Sequence, residues 1–68
     1  MEDYDNALKY YQMCIDNNPD YFSAYYNVAI VYKTTNRTPE AIEWYKKAIA
    51  VNPRYSYAYN NLGNIYKN

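Results

Sequence analysis

Histidine does not occur in this chain of 68 residues. The commonest general base, metal ligand and near-neutral pH switch is therefore missing. Cysteine occurs once, as Cys14, so no intrachain disulfide can form and a reducing compartment is expected. Glycine also occurs once, at Gly63, which leaves no glycine-rich loop to cradle a phosphate. Seven basic and seven acidic residues cancel to a formal net charge of zero. Such a balance offers no field to draw in nucleic acid or an anionic membrane. No apolar run reaches the length needed to span a bilayer, and no signal-peptide pattern opens the sequence. The expectation is an intracellular protein, cytoplasmic or nuclear, with no cofactor, no metal site and no enzymatic chemistry.

What is present is lopsided. Twelve Tyr and ten Asn fill almost a third of the chain, while Phe and Trp occur once each. Tyr joins an apolar ring to a polar tip, which suits positions that are half core and half surface. The segment AYYNVAIVYK (residues 24–33) returns as AYNNLGNIYK (residues 58–67). Sliding the whole chain by 34 residues makes eleven pairs identical, among them Ala7/Ala41, Tyr11/Tyr45, Asn18/Asn52, Pro19/Pro53, Tyr25/Tyr59, Asn27/Asn61 and Tyr32/Tyr66. The chain is read as two copies of one 34-residue unit.

Within each copy the apolar period is helical. Ala7, Leu8, Tyr11, Cys14 and Ile15 share one face, and Ala41, Ile42, Tyr45, Ala48 and Ile49 repeat it. Ala24, Tyr25, Val28, Tyr32 and their counterparts Ala58, Tyr59, Leu62, Tyr66 form a second stripe. Asn18-Pro19 and Asn52-Pro53 break the chain. Asn36 can end a helix in a left-handed conformation, and Thr38-Pro39-Glu40 reads as N-cap, first-turn proline and dipole-matching acid. These signals predict four helices over about 4–17, 21–34, 38–51 and 55–67, and no strand. Small Ala24, Ala29, Ala41, Ala48, Ala58 and Gly63 fit where helix axes approach to about 8–10 Å. Tyr11, Tyr25, Tyr32, Tyr45, Tyr59 and Tyr66 are expected to fill the spaces between. Cys14 takes a small-residue packing position and is expected as an inert buried thiol.

The residues at these offsets resemble the tetratricopeptide repeat. Tyr59, Leu62-Gly63 and Tyr66 match its first helix, and Ala41, Tyr45, Ala48 and Pro53 its second. The other copy supplies Tyr25, Val28-Ala29, Tyr32 and Ala7, Tyr11, Cys14, Pro19, with Tyr for Trp, Val-Ala for Leu-Gly and Cys for Ala as its departures. The resemblance covers essentially the whole chain, and it implies an all-α solenoid of antiparallel helix–turn–helix repeats wound as a right-handed superhelix. In that frame residues 1–68 are a single unit of two repeats cut half a repeat out of phase, since a second-type helix comes first. It reads as a piece of a longer array or an engineered one. AYNNLGNIYK also looks like the repeats of O-linked sugar transferases, the N-acetylglucosaminyl and SPINDLY-type enzymes. That likeness would make the chain a substrate-recognition arm.

Spacing places Ser23, Tyr26, Asn27, Ile30, Lys33 and Thr34 opposite the partner helix. Tyr57, Asn60, Asn61, Asn64, Lys67 and Asn68 are their equivalents. The resemblance makes this stripe the concave wall of a solenoid, so Tyr26, Asn27, Ile30, Lys33, Tyr57, Asn60, Asn61, Asn64 and Lys67 are the candidate residues for binding a protein or peptide partner. An Asn amide carries donors and an acceptor and can pair with any peptide backbone, which makes Asn27 and Asn61 two rungs for an extended segment. The alternative for both is to bond a neighbouring helix or water. A helical repeat that reads RNA is the rival class, and zero net charge weighs against it. About three repeats are normally needed to bury enough surface, so self-association through the terminal helices is also expected.

Overall fold

The computed structural model describes residues 3–67. Four helices follow in order: α1 (Tyr4–Asn17), α2 (Phe22–Thr34), α3 (Thr38–Val51) and α4 (Ser56–Lys67). No strand occurs among the described residues. Each helix packs on the next in sequence, and α2 on α3 is the most extensive joint. The fold is the expected all-α helical repeat, with α2 and α4 each starting one residue later than the sequence suggested.

Local chemistry sets the ends of these helices. Asp3 caps α1 by accepting from the Asn6 backbone N–H at 3.1 Å. At the close of α1 the Asn18 N–H donates to the Cys14 carbonyl at 2.9 Å, and the Asn18 side-chain oxygen accepts from the Asp20 N–H at 3.3 Å. Asn52 repeats this after α3, with 2.9 Å to Ala48 and 3.2 Å from Arg54. Pro19 and Pro53 then deny the chain the N–H that another helical turn would use. The turn after α2 is different. Asn36 has φ 65°, the Arg37 N–H donates to the Tyr32 carbonyl at 2.7 Å, and the Asn36 N–H donates to Lys33 at 3.1 Å. That pair of bonds is a Schellman closure, and the Arg37 guanidinium completes it by lying 4.7 Å over the Tyr32 ring.

The cap of α3 corrects the sequence reading. Thr38 is the first helical residue, and Arg37 occupies the N-cap, where its donor-only side chain accepts no bond from a first-turn backbone N–H. Its guanidinium meets the Tyr32 ring and, at 2.7 Å, the Glu40 carboxylate.

Ala29, Ala41, Tyr45, Ala48 and Ala58 form the principal core, each with no exposed surface. A second cluster joins Ile15, Ala24 and Val28 to Leu8, Tyr11, Cys14, Tyr25, Tyr32 and Trp44. Among the expected core tyrosines Tyr45 is fully buried, and Tyr11, Tyr25 and Tyr32 are half-buried. Tyr59 and Tyr66 are not core at all, at 48 % and 60 % exposed. Gly63 makes no close helix approach, since nothing lies within 4 Å of where its Cβ would stand. The cause is common to all three. They sit on the flank of α4 that no described helix covers, whereas their α2 counterparts face α3. Cys14 is half-buried for the same reason on α1.

Candidate functional site

Side chains of α2 and α4 are tied by one small polar network. The Asn61 amide nitrogen donates to the Tyr26 hydroxyl at 2.9 Å and to the Tyr57 carbonyl at 2.8 Å. Its oxygen accepts from the Lys33 ammonium at 3.4 Å. Under this network lies an aromatic ladder. Tyr26 meets Tyr45 at 5.8 Å and Tyr55 at 5.2 Å. Tyr55 in turn meets Phe22 at 4.6 Å and Tyr57 at 5.8 Å, both edge to face. Burial pushes the Tyr45 phenol up to about 12, with Tyr26 beside it acting in the same sense. Burial also raises the Tyr55 phenol, and a hydrogen bond with Ser23 opposes it.

The candidate stripe is thus divided. Tyr26 is half-buried and serves as a joint between α2, α3 and α4, and Ile30 is half-buried against the principal core. Asn61 has both amide protons engaged within the chain. Asn27 is half-buried, and its amide has no hydrogen-bond partner among the described residues. Tyr57, Asn60, Asn64, Lys33 and Lys67 stand exposed. Asn68 lies outside the described residues. Neither α2 nor α4 contains an acidic side chain, and Lys33 and Lys67 close their last turns. The wall therefore presents hydrogen-bond donors and positive charge: the Tyr26 O–H, the Asn27 amide and two ammonium groups. Tyr55, which braces Tyr26 from the turn just before α4, was not among the site residues expected from sequence; its identity with Tyr21 across the repeat was the available signal.

Two family models match this chain. One, a tetratricopeptide repeat, spans residues 10–43, and the other, a TPR repeat, spans residues 31–68. The chain belongs to the tetratricopeptide repeat family. Such repeats are in general protein–protein interaction modules and typically non-catalytic. Among curated proteins none matches the chain. Among the described residues of this tetratricopeptide repeat chain no helix is long and apolar enough to cross a membrane, and no group of three or more Cys, Asp or Glu is placed to hold a metal ion.

Proposed function

We propose that the α2–α4 wall binds an extended peptide segment, mainly through the peptide's backbone carbonyls and any carboxylate it carries. The observation that carries this reading is the unpaired Asn27 amide on an acid-free stripe ending in Lys33 and Lys67. Backbone carbonyls are common to every sequence, so such a wall favours breadth over side-chain selectivity. Asn61 serves it as a positioning residue that holds Tyr26 and Lys33 in place. The wall is read as part of two repeats offset by half a unit, and further repeats would lengthen it. The ten residues AYNNLGNIYK favour a narrower form of the same reading, the substrate-recognition arm of an O-linked sugar transferase.

The test is a titration of the chain with a mixture of extended peptides of varied side chains, followed by amide shifts, beside an RNA oligomer at the same salt. Peptides are expected to move signals of α2 and α4. Asn27→Ala is expected to weaken all of them alike, by about 0.5–1.5 kcal/mol, as loss of one ordinary hydrogen bond does. Shifts confined to α1 and α3, or salt-sensitive RNA binding without peptide binding, overturn the reading.

A further inference from the structure

Superposing the sequence on itself at 34 residues separates sealed faces from bare ones. In the α2–α3 joint, Ala29 is sealed against Ala41, Tyr45 and Ala48, with Tyr25, Tyr32 and Trp44 packed around them. The α4 counterparts of Tyr25, Ala29 and Tyr32 are Tyr59, Gly63 and Tyr66, and all three are exposed. The α1 counterparts of Ala41, Trp44, Tyr45 and Ala48 are Ala7, Tyr10, Tyr11 and Cys14. Tyr10 is 63 % exposed and the others are half-buried. An open groove of about 330 Å³ runs beside Ala7 and Tyr11, between α1 and α2.

We infer that α4 of one copy of this chain seats on α1 of a second copy, head to tail, and reproduces the internal α2–α3 joint between molecules. Tyr25/Tyr59, Tyr32/Tyr66, Ala41/Ala7 and Tyr45/Tyr11 are identical pairs, so four of the eight joint positions, Tyr26/Asn60 included, are unchanged. Trp44 meets Tyr25 at 5.9 Å within the chain, and Tyr10 meets Tyr59 of the neighbour in the same register. Gly63 has the open space that Ala29 fills with protein. Charge agrees as well. α4 contains Lys67 and no acid, while α1 and its cap contain Asp3, Asp5 and Asp16 against Lys9. The register sets Lys67 beside Asp3 and toward the Asn27 oxygen, as Lys33 reaches Asn61 at 3.4 Å.

The intermolecular joint is the weaker one. Asn60 stands where the internal joint has Tyr26, so the ring that stacks on Tyr45 at 5.8 Å has no counterpart over Tyr11. A helix-on-helix seam of this kind buries on the order of 1,000 Å² in total, at the small end of specific interfaces. The contact joins two different faces, so it propagates and does not close on itself as an isologous dimer does. This inference stands apart from the proposed peptide binding, but it runs the α2–α4 wall on from copy to copy.

Sedimentation of the chain over a wide concentration range tests it, alone and with two variants. Ala7→Arg blocks the α1 face and Gly63→Arg the α4 face. Circular dichroism confirms that each still folds, and Tyr10→Glu replaces Ala7→Arg if that variant does not. The parent chain is expected to grow in mass continuously with concentration. Each variant alone is expected to remain at one-chain mass, and an equal mixture to stop at two chains, because each supplies the face the other lacks. Asn60→Tyr restores the missing ring and is expected to tighten association about two- to tenfold, the range an aromatic pair supplies. A parent chain that stays at one-chain mass at every concentration assigns these faces to other occupants, such as adjoining repeats or a foreign helix, and overturns the inference. So does association that both arginine variants leave intact.

Discussion

Tyr45 places a phenol oxygen in the core with no hydrogen-bond partner among the described residues. Its ring fills the joint, but its hydroxyl has given up water and gained nothing, and a buried unpaired polar group opposes folding. Tyr45→Phe keeps the ring and removes the penalty, so it is expected to stabilise the chain by about 1 kcal/mol, read by urea denaturation. The same burial ties stability to alkaline pH. The folded state favours the neutral phenol, raising its pKa from 10.0 to about 12. That contribution is intact below pH about 10 and is lost as pH climbs toward about 12. Thermal melts in steps across this window are expected to fall more steeply for the parent than for Tyr45→Phe. Parallel curves would mean that Tyr45 does not govern the alkaline loss.

At the scale of elements, three turns share the work of folding the helices back. Two are the same Asn-Pro turn written twice, where the side-chain oxygen of Asn18 or Asn52 turns back onto the backbone two residues on. The third, between α2 and α3, depends on Asn36 holding φ 65°. Most side chains crowd the carbonyl in that region, and Asn tolerates it better than they do. Asn36→Ala is therefore expected to lose about 1 kcal/mol of stability, while Asn36→Gly is neutral or better, since glycine has no Cβ to strain. Urea melts of both variants check this, and equal effects would mean that the Asn36 side chain matters for another reason. Arg37 adds a ring contact and an exposed ion pair at the same turn, and pairs of that kind contribute little on their own.

Across the whole molecule stability is distributed unevenly. α2 and α3 share the most extensive joint and most of the fully buried side chains, while α1 packs chiefly on α2 and α4 chiefly on α3. Segments with fewer buried contacts open at lower free energy. Hydrogen exchange at low concentration is expected to protect amides of α2 and α3 most, and to leave α1 and α4 the faster pair. Uniform protection would show that the four helices open only together. At high concentration α1 and α4 are expected to gain protection selectively, since those are the helices that the proposed head-to-tail joint covers.

The four helices and the turns between them were legible in the chain because each is specified by residues within a few positions of one another. A period of three to four residues places Ala41, Tyr45, Ala48 and Ile49 on one face, and Asn18-Pro19 and Asn52-Pro53 interrupt it by chemistry contained in two residues. Tertiary structure decided what those faces meet. Tyr25 and Tyr59 are the same residue in nearly the same local sequence, yet Tyr25 packs on Trp44 and donates its hydroxyl proton to the Pro19 carbonyl, whereas Tyr59 is 48 % exposed. Asn61 spends its amide on Tyr26, and its twin Asn27 has no partner. Arg37 holds the cap position expected of Thr38, and its side chain finds a ring and a carboxylate that the turn brings within reach. Twin positions carry the same local instructions, so burial and hydrogen bonding diverge between them only through the neighbours that the fold brings to each.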